Sequence, residues 1–228
     1  MKDFLERTEL LLGNEKLKKL KTAHVAVFGV GGVGSYAAEA LIRSGIGNIT
    51  FIDGDRYAVS NMNRQLYATL DTLGEYKAES AVKRAAAISP QCNAVAVNRF
   101  YTPDTADMFD LGAFDYIIDA IDSVKDKTAL IAAAHATGTP IISSMGAGNK
   151  LDPTGFRVAD IADTSVCPLA RIMRKQLRQC GILHTKTVYS PEKPLKPDNN
   201  GEVPGSVSFV PSVAGLIIAG EVIKDIAG

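Results

Sequence analysis

The stretch His24-Val25-Ala26-Val27-Phe28-Gly29-Val30-Gly31-Gly32-Val33-Gly34-Ser35-Tyr36-Ala37-Ala38-Glu39-Ala40-Leu41 decides the fold. An apolar, β-rich run leads into four glycines within six residues, and a helical pattern follows at once. A strand, a tight turn and a helix start, in that order, offer backbone N–H groups to a phosphate. Glycine suits the turn because a Cβ would keep the backbone away from a ligand. Gly29, Gly31, Gly32 and Gly34 are therefore candidate nucleotide-binding residues.

Outward from this turn, apolar runs at 24–29, 48–53, 94–98, 115–119 and 140–144 alternate with helical patterns at about 33–44, 75–88, 104–110 and 125–137. Near-continuous apolar strands between helices predict an α/β fold: a Rossmann-like, mainly parallel sheet with helices on both faces. Beyond residue 150 the pattern changes. Runs at 156–159 and 185–190 flank a helix at 168–180 and predict antiparallel strands extending the C-terminal third. A Pro-, Gly- and Asn-rich stretch, 191–206, is expected to be a mobile crossover, and 211–226 to be a buried helix. No internal repeat is visible. The chain reads as one domain, 1–228. Residues 1–22 form a helical arm, 23–150 a nucleotide-binding core and 151–228 a substrate-side extension.

A chain of 228 residues can bury a substantial core. Its 25 basic and 25 acidic side chains cancel, so any nucleic-acid surface must be local. The longest apolar stretch, Val213 to Gly220, is closed by Glu221 and is too short for a membrane span. The mixed-charge N-terminus does not resemble a secretory signal. Three cysteines, Cys92, Cys167 and Cys180, form no C-x-x-C pair, which argues against a disulfide scaffold or a structural zinc and for a reducing, cytoplasmic location.

A glycine turn alone reads by default as an NAD or FAD site. Asp53, 19 residues after Gly34, fits a ribose contact for either class of nucleotide. The following loop, Asp53-Gly54-Asp55-Arg56-Tyr57-Ala58-Val59-Ser60-Asn61-Met62-Asn63-Arg64-Gln65, departs from the dehydrogenase pattern. It brings Asn61 and Arg64 just past the ribose carboxylate, and Lys77 opens the next helix. An Arg–Lys pair suits a triphosphate; the alternative is that both are ordinary surface cations. Asp122, at the carboxyl edge after the fourth strand, fits either an Mg²⁺ ligand or a helix N-cap.

Taken in order, Gly29–Gly34, Asp53-x-Asp55, Ser60-Asn61-x-x-Arg64-Gln65, Lys77 and Asp122 resemble the ThiF/MoeB/HesA adenylating family, relatives of ubiquitin-activating enzymes. The resemblance implies binding of ATP and Mg²⁺ and transfer of AMP to a carboxylate. It also implies that the glycine turn and Asp53 hold the adenosine, with Asp55 and Gln65 in the same nucleotide-binding loop. Asn61, Arg64 and Lys77 would meet the phosphates, and Asp122 the metal. Arg7 matches the family's N-terminal arginine that reaches into a partner's ATP site, which implies a homodimer. No zinc-type cysteine pairs and no thiol at Gly205-Ser206-Val207-Ser208-Phe209-Val210-Pro211 are present. The segments Gly45–Thr50, Asp119–Val124, Gly146–Gly148 with Leu151–Thr154, Pro168–Ala170 and Val188–Glu192 instead resemble the tRNA threonylcarbamoyladenosine dehydratase branch. By that resemblance the substrate is a threonine carboxylate on a tRNA base. Activation of a sulfur-carrier or ubiquitin-like protein is the alternative.

Arg171, Arg174, Lys175 and Arg178 recur at helical spacing, with Leu169, Ile172, Met173, Leu177 and Cys180 supplying an apolar side. The basic stripe fits either tRNA phosphates or a solvated face. Cys167, just before Pro168, is either a thiol activated at a helix start or a structural residue. Cys92 and Cys180 read as structural, His24 and His135 as packing or surface residues, and His184 as a loop residue.

Overall fold

The computed structural model describes residues 4–196 and 203–228. Two short helices, α1 (Glu6–Leu12) and α2 (Asn14–Thr22), precede strand β1 (His24–Phe28). Helix α3 (Gly34–Arg43), strand β2 (Asn48–Ile52), helix α4 (Lys77–Ile88), strand β3 (Asn93–Val97) and strand β4 (Tyr116–Asp119) follow. The remainder comprises α5 (Val124–Thr137), β5 (Ile141–Ser144), β6 (Arg157–Asp160), α6 (Pro168–Gln179), β7 (Lys186–Tyr189) and α7 (Phe209–Ala227).

Among the described residues, the strands form one sheet in the order β3-β2-β1-β4-β5-β7-β6. All neighbours run parallel except β6, which pairs antiparallel with β7, Arg157 opposite Tyr189 and Asp160 opposite Lys186. The expected antiparallel extension is thus present, although β7 itself continues the parallel sheet beside β5. Alternation along each strand serves two apolar layers. Val25, Val27, Ile49 and Phe51 face α2, α3, α4 and α7, whereas Ala26, Phe28 and Ile117 face α5 and α6.

The helix expected at 104–110 is a correction: only a short 3₁₀ turn, Ala106–Met108, forms there. Thr102 N–H donates to Thr105 Oγ1 at 2.9 Å, and that hydroxyl in turn donates to Phe100 O. Such local side-chain bonds compete with helix formation. Residues 191–196 and 203–206 of the expected crossover contain neither helix nor strand; 197–202 lie outside the described residues, as do 1–3 of the arm. Helix α1 buries none of its own residues, and Leu10 and Leu11 are 82% and 88% exposed. Among the described residues, no helix is long and apolar enough to cross a membrane.

The strand order reverses between β1 and β4, so the crevice beyond their carboxyl ends is the switch point where open α/β sheets hold ligands. The glycine turn leaves β1 there, and residues 120–123 leave β4 beside it.

Candidate active site

The glycines of the turn have different jobs. Gly29 has φ +87°, and a Cβ on it would sit 2.7 Å from Ala120 O. A Cβ on Gly34 would fall on the Gly29 carbonyl oxygen. Both are therefore required by the protein's own packing. Gly31 is not: its nearest neighbour would be Gln65 Nε2 at 3.6 Å. The amides of Gly31 and Gly32 have no partner among the described residues, and Gln65 Oε1 is buried beside them with none. Two unpartnered N–H donors at the turn, with room for a Cβ at Gly31, fit a phosphate-bearing ligand. The buried Gln65 Oε1, an acceptor, fits a hydroxyl or amino group of such a ligand.

Asp53 closes the back of the cradle. It is buried, and its carboxylate accepts Val30 N–H at 2.7 Å and Asp55 N–H at 2.9 Å. Burial pushes its pKa above the usual carboxylate range, opposed by those amides and by the nearby Lys77 charge. In this structure Asp53 braces the turn, each of its two carboxylate oxygens accepting a backbone N–H. Lys77, the first residue of α4, is buried and reaches Asp55 Oδ2 at 2.5 Å. Partial burial would raise Asp55, but the Lys77 hydrogen bond and charge outweigh it and hold Asp55 below its ordinary value. Lys77 and Tyr57 share this corner: the ammonium lies 6.0 Å from the Tyr57 ring centroid, and the Tyr57 hydroxyl is buried with no partner among the described residues.

Arg64 lies against the turn, its Cγ 3.5 Å from where a Gly32 Cβ would be. Its guanidinium donates to Ser60 O and Asn63 Oδ1, both at 2.9 Å. Asn61 caps the local 3₁₀ turn by accepting Ala58 N–H through Oδ1 at 3.0 Å. Thus Gly31, Gly32, Arg64 and Gln65 come together, with Asp53, Asp55 and Lys77 on the far side of the turn. Asp122 lies exposed on the loop after β4. It is not the helix cap: Ser123 is, accepting Asp126 N–H at 3.4 Å. No three His, Cys, Asp or Glu side chains cluster as a metal site among the described residues, so Asp122 could hold Mg²⁺ only together with ligand phosphates.

Arg7 is exposed on α1 at the opposite end of the molecule. Leu5, two residues earlier, packs on Gly45, near the amino end of β2, whereas the glycine turn lies at the carboxyl end of β1.

One buried constellation was not anticipated from the sequence. Lys127 of α5 is fully buried and donates to Asp119 Oδ2 at 2.8 Å and Ser143 Oγ at 3.1 Å. Asp119 Oδ1 accepts Ile121 N–H at 3.1 Å, fixing the β4 loop beside Gly29. Lys127, Leu130, Ile131 and Ala134 share the buried face of α5. That spacing was the available signal, obscured because a lysine on a helix is normally read as exposed.

On α6 the expected stripe divides. Arg174 turns inward, donating to Thr164 O at 2.7 Å and Thr164 Oγ1 at 2.5 Å. Arg171, Lys175 and Arg178 remain exposed and, with Arg174 and Gln179, line a surface concavity of about 450 Å³. The apolar side is narrower than expected: Ala170, Met173 and Leu177 are buried, whereas Ile172 and Cys180 face solvent. Cys180 is therefore not a core residue. Cys92 is buried as expected, and Cys167 is only 2% exposed. His24 and His135 have structural partners, Thr50 Oγ1 at 2.9 Å and Thr185 Oγ1 at 2.8 Å. A larger concavity, about 720 Å³, opens at the amino ends of the strands, remote from the turn. Its charges neutralise one another, with Tyr116 Oη and Lys186 Nζ both on Asp225.

Comparison with known proteins places this geometry. The model of the ThiF family matches residues 5–228. The chain belongs to the ThiF family. Within it, the chain is 44% identical to the tRNA threonylcarbamoyladenosine dehydratase of Bacillus subtilis, over 96% of this chain and 93% of that protein. It is 41% identical to the Escherichia coli enzyme of the same name, over 86% of this chain and 76% of that one. The crystal structure of the E. coli dehydratase TcdA in complex with ATP superimposes with a TM-score of 0.90 at 38% identity, covering 96% of this chain and 92% of that one. The Rossmann-like sheet with its antiparallel extension is therefore the fold of this ThiF branch.

Proposed function

We propose that this protein is an ATP-dependent dehydratase that adenylates the carboxylate of threonylcarbamoyladenosine in tRNA and then cyclises it. One observation carries the reading: the free Gly31 and Gly32 amides at the sheet's switch point, flanked by Arg64 and the Lys77–Asp55 pair. Similarity to dehydratases over nearly the whole chain supports the substrate. The relative solved with ATP supports the nucleotide.

In this reading a threonine carboxylate oxygen attacks the α-phosphorus of ATP, the bond to the β-phosphate oxygen breaks and pyrophosphate leaves. The carbamoyl group then closes on the acyl carbonyl and expels AMP, which carries away a carboxylate oxygen, so the base loses one water. No side-chain base is needed for the first step, because the nucleophile is already ionised. The turn amides, Arg64 and Lys77 stabilise charge that builds on the phosphates. Mg²⁺, where bound, would neutralise phosphate charge, with Asp122 its carboxylate ligand; Asn61 completes the phosphate-facing loop. The whole chain acts as one adenylating domain. With tRNA as substrate, the setting is cytoplasmic.

The decisive assay supplies purified protein with ATP and tRNA bearing threonylcarbamoyladenosine, then weighs the released nucleosides. AMP release with loss of one water mass is expected. Pyrophosphate exchange that ignores this tRNA would overturn the substrate and redirect the search to a carrier protein.

We further propose that the enzyme is a homodimer in which Arg7 serves the partner's site. Its distance from the turn of its own protomer and the exposed Leu10 and Leu11 beside it support this. Mixing an Arg7→Ala protein with an Arg64→Ala protein should recover part of the activity through heterodimers with one intact site. No recovery after subunit exchange would count against the arrangement.

The exposed cations of α6 are proposed to meet tRNA phosphates. Neutralising Arg171, Lys175 and Arg178 together should lower the slope of log affinity against log salt by about 2–3, at roughly 0.7–0.9 for each phosphate no longer neutralised. An unchanged slope would assign the stripe to solvent. Arg174 is left out because it holds Thr164 in place.

A further inference from the structure

A path of hydrogen bonds runs from the loop after β5 to Arg64 at the glycine turn, and it starts at Asn149. This residue adopts φ +58°, a left-handed conformation that asparagine tolerates better than most side chains. Its backbone N–H donates to Gly205 O at 2.8 Å, and its side-chain Oδ1 accepts Gly205 N–H at 2.6 Å. Its carbonyl accepts Leu195 N–H at 2.8 Å. One residue therefore grips the chain on both sides of 197–202. The next residue, Lys150, adds a second hold, its buried ammonium donating to Ser190 O at 3.3 Å and Glu192 O at 2.5 Å.

The descending side leads directly to the nucleotide cradle. Ser206, adjacent to Gly205, accepts Asn63 Nδ2–H through its carbonyl at 2.9 Å, and Asn63 Oδ1 in turn accepts from Arg64. Farther along, Pro211 packs on Gly32, its Cβ 3.3 Å from where a Gly32 Cβ would be. The path from Asn149 through Gly205, Ser206 and Asn63 to Arg64 consists of short hydrogen bonds and single chain steps.

We propose that Asn149 is a positioning residue: it sets where the returning chain comes down, and thereby seats Asn63 and Arg64 against the glycine turn. This rests on the dehydratase reading, in which Arg64 must meet ATP phosphates. Asn149 touches no substrate in this account. Its left-handed backbone aims Oδ1 and its own N–H at the same residue, which an alanine in extended conformation could not reproduce. Displacement of a phosphate-binding group by about 1 Å can cost up to about 100-fold in rate.

Three variants separate the side chain from the backbone. Asn149→Gly keeps the positive φ accessible but removes Oδ1. Asn149→Asp keeps both an oxygen acceptor and tolerance of the left-handed region. Gly205→Pro, at an exposed position, removes the same hydrogen bond from the donor's side without touching the core. In the ATP- and tRNA-dependent assay, Asn149→Gly and Gly205→Pro should lower kcat by about tenfold or more and raise KM for ATP less, while Asn149→Asp stays within about threefold of wild type. Hydrogen exchange gives a readout independent of activity. The Gly205 amide should exchange at least about tenfold faster in Asn149→Gly and be protected again in Asn149→Asp. Wild-type kcat in both Asn149→Gly and Gly205→Pro would overturn the proposal, as would an Asn149→Asp protein as impaired as Asn149→Gly. Failure of the dehydratase reading itself would look different, because the unmodified protein would then leave the tRNA base unchanged.

Discussion

Arg64→Ala and Lys77→Ala should each reduce ATP-dependent turnover by about 10²–10³-fold, the usual cost of removing one preorganised charge donor from a transition state. The two losses differ in origin. Arg64 lies over the turn with its guanidinium held by Ser60 O and Asn63 Oδ1, so the charge is pre-aimed and its removal leaves the fold nearly untouched. Lys77 is buried, but its partner Asp55 is about half exposed and stays hydrated when the ammonium is lost. A modest loss of thermal stability should accompany Lys77→Ala and none Arg64→Ala. Steady-state turnover beside thermal melts checks both, and wild-type turnover in either variant would remove that residue from the phosphate site.

Lys127→Met is expected to be the most destabilising of the single changes considered, by about 3–5 kcal/mol, because it leaves the fully buried Asp119 carboxylate without its cation. Ser143 Oγ and Ile121 N–H would still donate to Asp119, yet neither carries a charge. Against a typical total of about 5–15 kcal/mol, such a loss should move the urea midpoint far to the left with little change in slope. Adding Asp119→Asn should recover much of the loss, since the pair is replaced rather than broken. A single-variant loss under about 1 kcal/mol would mean that water or a rearranged partner relieves the buried charge.

The centre of the sheet was legible because β1, β2 and β4 are apolar on both faces and bounded by turn residues. His24–Phe28 and Asn48–Ile52 emerge within a residue of their expected ends. The short turn at 106–108 was not legible, since its cause is a hydroxyl of Thr105 bonding the backbone of Thr102 and Phe100 rather than a pattern of polarity. Among the site residues, the glycine turn and Asp53 could be read from spacing, whereas Asp55 and Gln65 entered only through the resemblance to the ThiF family. The division of labour among the glycines could not be read from spacing: Gly29 and Gly34 answer to each other and to Ala120, and the contact with Ala120 exists only after β1 and β4 pair. Likewise Asp119 and Lys127 belong to a strand and a helix whose separate patterns reveal no pairing. Arg174 shares a spacing with Arg171 and Arg178, and only the packing of Thr164 under α6 distinguishes it.

Gly215, in the middle of α7, has a Cβ position that would collide with Val33 O and crowd Tyr36, at the start of α3. The cradle of the first βα unit is thus closed by α7, the last helix of the fold. A growing polypeptide that has not yet extended through α7 would own the glycine motif without a finished binding surface. Competence to hold nucleotide should therefore arrive late in folding, after the slow closure of a very long loop, and not with the early local pairing of β1 and α3.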